Sequence, residues 1–122
     1  MHPERPVRAA GDRVVSPSAE RNKGPIAEVL KGMLPRGGFV LEVGSGTGQH
    51  VVYFAREMAD ITWQPSERDP TAIESISRWV AGAVLSNVRR PIQLDVMERP
   101  WPVASADAVI ALNVIHIAPW QA

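Results

Sequence analysis

The chain has 122 residues, 45% of them apolar, with 13 basic and 13 acidic side chains and no cysteine. This size and composition fit one globular domain, and the lack of cysteine excludes disulfides, thiolate metal sites and a cysteine nucleophile. The balanced charge provides no long-range field to attract nucleic acid or an anionic membrane. No apolar run is long enough to cross a bilayer. Residues 1–15 lack the apolar core of a signal peptide, so we predict a flexible leader on a cytoplasmic protein.

After the leader, helical and strand patterns alternate along the chain. Pro17 predicts a turn or a short helical start, and Pro25 predicts the start of a helix whose apolar residues recur at spacings of three and four. Two further helices are predicted to begin at Gly48 and at Asp69–Pro70, where Asp69 would be the N-cap. Four apolar runs predict strands, at residues 39–43, 61–66, 92–96 and 108–112. This alternation indicates an α/β fold with a mostly parallel sheet between layers of helices, a three-layer sandwich.

A glycine-rich loop, EVGSGTG at residues 42–48, joins the first predicted strand to the following helix. Glycines allow a sharp turn and close approach of a ligand, and the helix start offers free N–H groups. Gln49, with no lysine after it, excludes a phosphate-binding P-loop, which needs G-x-x-x-x-G-K-[ST]. In a dinucleotide loop the third glycine comes one place later than Gly48 does, so binding of NAD is disfavoured but stays open.

Acidic residues follow the next two predicted strands. Glu67 ends the second strand, close to the spacing of about 20 residues expected of a ribose-binding acid in dinucleotide folds. One carboxylate can accept hydrogen bonds from two adjacent ribose hydroxyls. Asp69 competes for this role but is better explained as a helix cap, and Asp95 after the third strand suits a ligand contact and a turn equally. Ligands bind outside the carboxyl ends of such strands, so these acids are predicted to share one crevice with the loop.

The run E-x-G-x-G-x-G resembles the first motif of the class I, Rossmann-like methyltransferases that depend on S-adenosylmethionine (SAM). The resemblance implies that the loop wraps the amino-acid end of SAM, with Glu42 near the amino group and Asp95 near the adenine. Glu67 would hold the ribose. The residues assigned to the cofactor are Glu42, Gly44, Ser45, Gly46, Gly48, Glu67, Asp95 and Asn113.

Three longer segments, SPSAERNKGPIAEVL, WQPSERDP and NVIHIAPW, are similar to the methyltransferase-like protein 26 family. The similarity runs from Ser16 to Trp120, and members of that family carry a longer sheet. The resemblance therefore implies a strand order of 3-2-1-4 with strands five to seven missing, so that residues 16–122 form the N-terminal part of a SAM-binding domain. Strand four would be an open edge, which favours aggregation unless a partner such as a second copy covers it.

In this family the methyl acceptor is expected near the end of strand four. His116 is the strongest candidate base, because its ordinary pKa is about 6.5. Asn113 is a candidate for orienting the acceptor or the cofactor, and Trp120 for walling the methyl site. The structural alternatives are a loop histidine, a strand cap and a packing residue. The loop lacks the N-P-P-[FY] signature of methyltransferases acting on amino groups of DNA bases, and with zero net charge a small-molecule acceptor is expected rather than nucleic acid.

Two polar groups outside these motifs are further candidates. Arg21, Asn22 and Lys23 precede the first strand, and in related folds that segment lies over the cofactor; a solvated turn is the alternative. His50 either points to the cofactor or covers the helix start. No spacing of His, Asp and Glu predicts a metal site. The main hypothesis is a SAM-dependent methyltransferase. The alternatives are a non-catalytic SAM-binding or interaction module and, less favoured, a NAD-dependent oxidoreductase.

Overall fold

The computed structural model describes residues 7–8, 14–15, 17–111 and 116–119, with side chains from residue 21 to residue 111. Two short strands come first, helices and strands then alternate, and three strands come last. The elements in chain order are β1 (Val7–Arg8), β2 (Val14–Val15), α1 (Pro17–Met33), β3 (Phe39–Val43), α2 (Gln49–Glu57), β4 (Thr62–Glu67), α3 (Pro70–Ala83), β5 (Ile92–Gln93), β6 (Ala108–Ala111) and β7 (His116–Pro119).

Strands β3 to β7 form one sheet in the order β5-β4-β3-β6-β7, and β1 pairs with β2 separately. Strands β5, β4, β3 and β6 are mutually parallel. They correspond to the third, second, first and fourth predicted strands, so the expected order 3-2-1-4 is confirmed. A parallel sheet places the carboxyl ends of its strands along one edge, and this edge receives the glycine loop.

One face of the sheet carries the main hydrophobic core. Val40, Trp63 and Ile110 lie on that face and are fully buried. Leu30 of α1 and Phe54 of α2 pack into the same core, with Trp79 and Val80 of α3 at its margin. All three helices therefore cover a single face. On the other face, residues 102–105 line a cavity of about 420 Å³ together with Phe39 and Gln64.

Helix α1 is longer than the sequence pattern predicts. It runs unbroken from Pro17 to Met33 and contains Pro25, where the sequence predicts a new helix start. A proline inside a helix removes one backbone hydrogen bond, and its ring usually clashes with the preceding residue. Here that residue is Gly24, which has no Cβ, so the clash with the preceding side chain is absent.

The edge of the sheet also differs from the prediction. Strand β7 pairs antiparallel with β6, with Ala111 opposite His116, so the fourth predicted strand is not an open edge. The connection between these residues is too short for a parallel crossover, which needs a dozen or more residues, so the returning strand has to be antiparallel. A second copy of the chain would therefore have to pair with β7 instead. The homodimer itself stays a prediction.

The side chain of Asn87 supports the turn after α2, and no sequence pattern predicts this role. The amide nitrogen of Asn87 donates to the carbonyl oxygens of Ala55 at 2.9 Å, Ile61 at 3.0 Å and Met58 at 3.4 Å. One half-buried amide thus satisfies carbonyl groups at the end of α2 and at the start of β4.

Replacing Asn87 with alanine is expected to lower the free energy of unfolding by about 2–3 kcal/mol, because buried carbonyl groups lose their donors. Urea unfolding measures this difference. Asn22→Ala is the control, since Asn22 is exposed on α1 and its loss should change stability by no more than about 0.5 kcal/mol. Equal effects of the two substitutions would contradict the capping role of Asn87.

Candidate functional site

The candidate site lies at the carboxyl ends of β3, β4 and β5. The glycine loop leads from β3 into α2, Glu67 is the last residue of β4, and Asp95 follows β5. The predicted acids and the loop therefore share one edge of the sheet, the position at which open α/β sheets bind ligands.

The three loop glycines are all needed, but for different reasons. Gly44, Gly46 and Gly48 have φ angles of 70°, 61° and 100°, in the left-handed region that favours glycine. A Cβ added to Gly48 would lie 2.9 Å from the backbone Cα of Ile76, so this glycine lets the loop pack against α3. A Cβ added to Gly46 would meet no described atom within 4 Å, so Gly46 faces open space of the kind that a ligand would fill.

Serine side chains hold the loop in place, and the sequence pattern did not predict two of them. The Ser66 N–H donates to Oγ of Ser45 at 3.0 Å, and the Ser45 N–H donates to the Ser66 carbonyl at 2.8 Å. Oγ of Ser66 donates to the Glu42 carbonyl at 2.6 Å, and Oγ of Ser75 donates to the Thr47 carbonyl at 2.8 Å. The one available signal was Ser66 itself, a polar residue interrupting a strand just before Glu67. The Ser45 hydroxyl thus supports the loop, and its predicted contact with the cofactor stays a prediction.

Glu67 is bound directly to the glycine loop. Its Oε2 accepts from the Gly46 N–H at 3.0 Å, and its Oε1 accepts from the Arg68 N–H at 2.9 Å. The Gln93 side chain donates to the Arg68 carbonyl at 3.0 Å and steadies this turn from the next strand. A carboxylate offers about four acceptor positions, so Glu67 keeps capacity for two ligand hydroxyls.

Glu42, near the end of β3, is completely buried. Neither of its carboxyl oxygens makes a hydrogen bond within the part of the chain that the structure describes. Burial raises the pKa of Glu42 from 4.5 to about 7, the Ser45 hydroxyl opposes that rise, and the negative charge of Glu67 adds to it. A buried acid without a partner is unusual in a folded protein and indicates a ligand or a strained functional group.

Asp95 and Asp69 both have local structural roles. Oδ1 of Asp95 accepts from the Met97 N–H at 2.9 Å, which gives Asp95 the turn role that the sequence left open. The predicted contact of Asp95 with the cofactor stays a prediction. Asp69 accepts from the Thr71 N–H at 3.0 Å, and the predicted N-cap of α3 is confirmed.

The remaining candidates fall into two groups. Some lie on α1 and α2, and the others lie outside the residues that the structure describes. Arg21 and Asn22 are exposed on α1, and Lys23 lies over the Tyr53 ring at 5.0 Å. His50 is half-buried in the first turn of α2, where its ring stacks on Phe54 at 5.5 Å. Asn113, Trp120 and the side chain of His116 lie outside the described residues, so their predicted roles remain untested.

The described residues offer neither a membrane span nor a metal site. None of the described helices combines the length and the apolar character that a membrane span requires. In the same part of the chain, no three side chains of His, Cys, Asp or Glu are grouped closely enough to hold a metal ion.

Comparisons with known proteins identify the family of the chain and support its fold. The chain belongs to the family described as a protein of unknown function, DUF938, whose family model matches residues 13–122. A family match of this kind gives no reaction, so the solved structures with the same architecture are the more informative comparison.

Solved structures similar to this chain include several methyltransferases. A SAM-dependent methyltransferase from Aquifex aeolicus has a TM-score of 0.64 at 22% identity, over 79% of this chain and 51% of that chain. A precorrin-6y C5,15-methyltransferase from Geobacter metallireducens GS-15 has a TM-score of 0.65 at 15% identity, over 86% and 52%. A coclaurine N-methyltransferase bound to N-methylheliamine and SAH has a TM-score of 0.60 at 15% identity, over 73% and 26%.

These likenesses show the fold. The described chain has an α/β sheet like that of these Rossmann-fold methyltransferases, with the strand order that the resemblance implied. It spans about half of the length of the first two structures and about a quarter of the third.

Proposed function

We propose that the chain is the N-terminal part of a SAM-dependent methyltransferase and that the glycine loop binds the amino-acid end of SAM. The observation that carries this proposal is Glu42, a fully buried carboxyl group at the base of the loop that has no hydrogen-bond partner among the described residues. An ammonium group is the natural partner for such an acid. A pyrophosphate, as in NAD, would bring negative charge towards Glu42 and Glu67, which disfavours the oxidoreductase alternative.

The other parts of the proposed site follow from the two acids further along the edge. Glu67 would accept the ribose hydroxyls while keeping its bond to the Gly46 N–H. The second oxygen of Asp95 would accept from the adenine amino group. Bound SAM supplies an electrophilic methyl group on a sulfonium, whose departure as a neutral thioether needs little assistance. The chain would therefore contribute mainly orientation, as expected for a displacement between two held reactants.

The proposal extends to the acceptor and to the two candidate catalytic residues. His116 would take the proton that an acceptor nucleophile has to lose, and Asn113 would orient the acceptor or the cofactor. Zero net charge favours a small molecule over nucleic acid, and we expect the protein in the cytoplasm. The closer resemblance to the methyltransferase-like protein 26 family, carried by the three quoted segments, is part of the same proposal.

A non-catalytic SAM-binding module is the second candidate function. The chain spans about half or less of the methyltransferases that it resembles, so the activity of those proteins does not by itself carry over to it. Comparing this chain with one extended by further sheet strands separates the two functions. Methyl transfer to any member of a metabolite library by the longer chain supports the enzyme, whereas tight SAM binding without transfer supports the module.

Glu67→Gln tests the cofactor site. The amide oxygen can still accept from the Gly46 N–H, but the NH2 group cannot accept from the Arg68 N–H. The charge that strengthens hydrogen bonds from the ribose is also lost. We expect SAM binding to weaken by about 1–3 kcal/mol, or roughly 5- to 150-fold in Kd, measured by calorimetric titration. Asp69→Asn is the matched control, because asparagine is an equally good N-cap and SAM affinity should not change. The opposite result, with Asp69→Asn weakening SAM and Glu67→Gln leaving it unchanged, would move the ribose role to Asp69.

A further inference from the structure

Among the described residues, neither a cation nor a hydrogen-bond donor pairs with the Glu42 carboxyl group. It is fully buried, and both of its carboxyl oxygens lack hydrogen-bond partners in the described residues. An ionised carboxylate in such a place is so unfavourable that the group takes up a proton instead. The proposed function requires an ionised Glu42, because an ammonium group binds a carboxylate more strongly than it binds a neutral acid.

The groups around Glu42 also favour its protonated form. On β4 the titratable neighbour is Glu67, whose negative charge disfavours ionisation of Glu42. Loop residues 44–48 and β6 residues 108–111 carry no titratable side chain. On α2 the titratable residue next to the loop is His50, which stacks on Phe54. Among the described residues, only the Ser45 hydroxyl favours the charged form of Glu42, so without a ligand the proton is retained up to neutral pH.

We propose that binding of the methyl donor expels a proton from Glu42, so that the ammonium group of the ligand takes the place of that proton. The inference rests on the proposed function and adds a coupling between pH and cofactor affinity. In the exchange, the O–H bond of Glu42 breaks and its proton leaves to the buffer. The carboxylate then accepts N–H hydrogen bonds from the ligand, whose own charge does not change.

The coupling has a direction that can be measured. Between about pH 5.5 and 7 the empty site holds the proton and the loaded site does not, so SAM affinity should rise towards tenfold per pH unit as the pH increases. Near pH 6 about one proton should be released for each SAM bound. The α-amino group of the ligand itself titrates at about 7.7–8.0, so measurements belong below that range.

Calorimetric titration of the 122-residue chain with SAM at pH 6, in two buffers of different ionisation heat, counts the protons released. We expect about one for the unmodified chain, and none for Glu42→Gln, whose SAM affinity should also be independent of pH. Glu74→Gln, which alters an exposed glutamate of α3, is the matched control and should keep the release. His50→Gln should keep it as well. Loss of the release in His50→Gln, or its persistence in Glu42→Gln, would overturn the proposal.

The results separate this inference from the proposed function. SAM binding without proton release contradicts the coupling and leaves the SAM site intact, whereas no SAM binding at any pH by the folded chain contradicts both. Carbon-13 NMR of the Glu42 carboxyl group gives a second test that needs no variant. The titration midpoint should lie near pH 7 in the empty chain and fall by more than one pH unit with SAM bound; an unchanged midpoint would contradict the exchange.

Discussion

Glu42→Gln is expected to become more stable relative to the unmodified, ligand-free chain as the pH rises. From pH 4 to pH 8, the difference between their free energies of unfolding should change by about 3 kcal/mol in favour of the variant. Folding raises the pKa of Glu42 from 4.5 to about 7. Between these values the folded chain holds a proton that the unfolded chain has released, so unfolding becomes easier as the pH rises. This contribution of Glu42 is complete below pH 4.5 and is lost as the pH passes 7, whereas glutamine stays neutral throughout.

Urea unfolding of both chains at each pH from 4 to 8 measures the effect. Other groups also titrate over this range, so the informative quantity is the difference between the two stability curves. Glu74→Gln, on an exposed glutamate, should give a curve within about 0.5 kcal/mol of the unmodified chain at every pH. Parallel curves for Glu42→Gln and the unmodified chain would show that Glu42 is already ionised at low pH and would contradict the raised pKa.

Alanine at Gly48 and alanine at Gly46 are expected to damage different properties. The added methyl group at residue 48 would lie 2.9 Å from the Ile76 Cα, in the backbone of α3, and would sit on a φ of 100°. We expect Gly48→Ala to lower the free energy of unfolding by about 3 kcal/mol, from overpacking together with left-handed strain. Gly46→Ala has only the strain, about 1–2 kcal/mol, because its methyl group enters open space.

SAM affinity should fall more in Gly46→Ala than in Gly48→Ala, when both are compared as folded samples. A methyl group at residue 46 projects into the space proposed for SAM and should reduce its affinity at least tenfold, even in a sample shown to be folded. Urea unfolding and calorimetric titration of both variants provide the two measurements. Wild-type SAM affinity in Gly46→Ala would place the ligand elsewhere. A stability loss in Gly48→Ala no larger than that in Gly46→Ala would contradict the packing role of Gly48.

The parallel sheet was predictable because it follows from periodicity and connection length, whereas its strand order was implied by the resemblance to known methyltransferases. Apolar runs separated by helical patterns leave few arrangements other than parallel strands with crossovers. The cap at Asp69 was predictable for a similar reason, since Asp-Pro is a local signal that acts within one turn. What could not be predicted depends on contacts between distant residues or on an exception to a local rule. The unbroken helix through Pro25 is such an exception.

The candidate site was predictable in its composition but not in its electrostatics. Motif and spacing identified the glycine loop and Glu67. No sequence pattern indicates that Glu67 binds the Gly46 N–H, or that Glu42 lacks a hydrogen-bond partner in the described part of the chain. Serine residues are common in strands, so the contacts of Ser66 with Ser45 and Glu42 had no distinctive signal either. These features arise from the folded arrangement of β3, β4 and the loop, which brings together residues more than 20 positions apart.

The central claim is that the glycine loop and its two acids form a SAM site, and one titration tests it most directly. The folded 122-residue chain is titrated by calorimetry at pH 7 with SAM, with its demethylated product SAH and with NAD. We expect saturable binding of SAM and SAH at a single site, abolished or strongly weakened in Gly46→Ala, and no binding of NAD. Binding of NAD by a folded sample that gives no heat with SAM would contradict the claim.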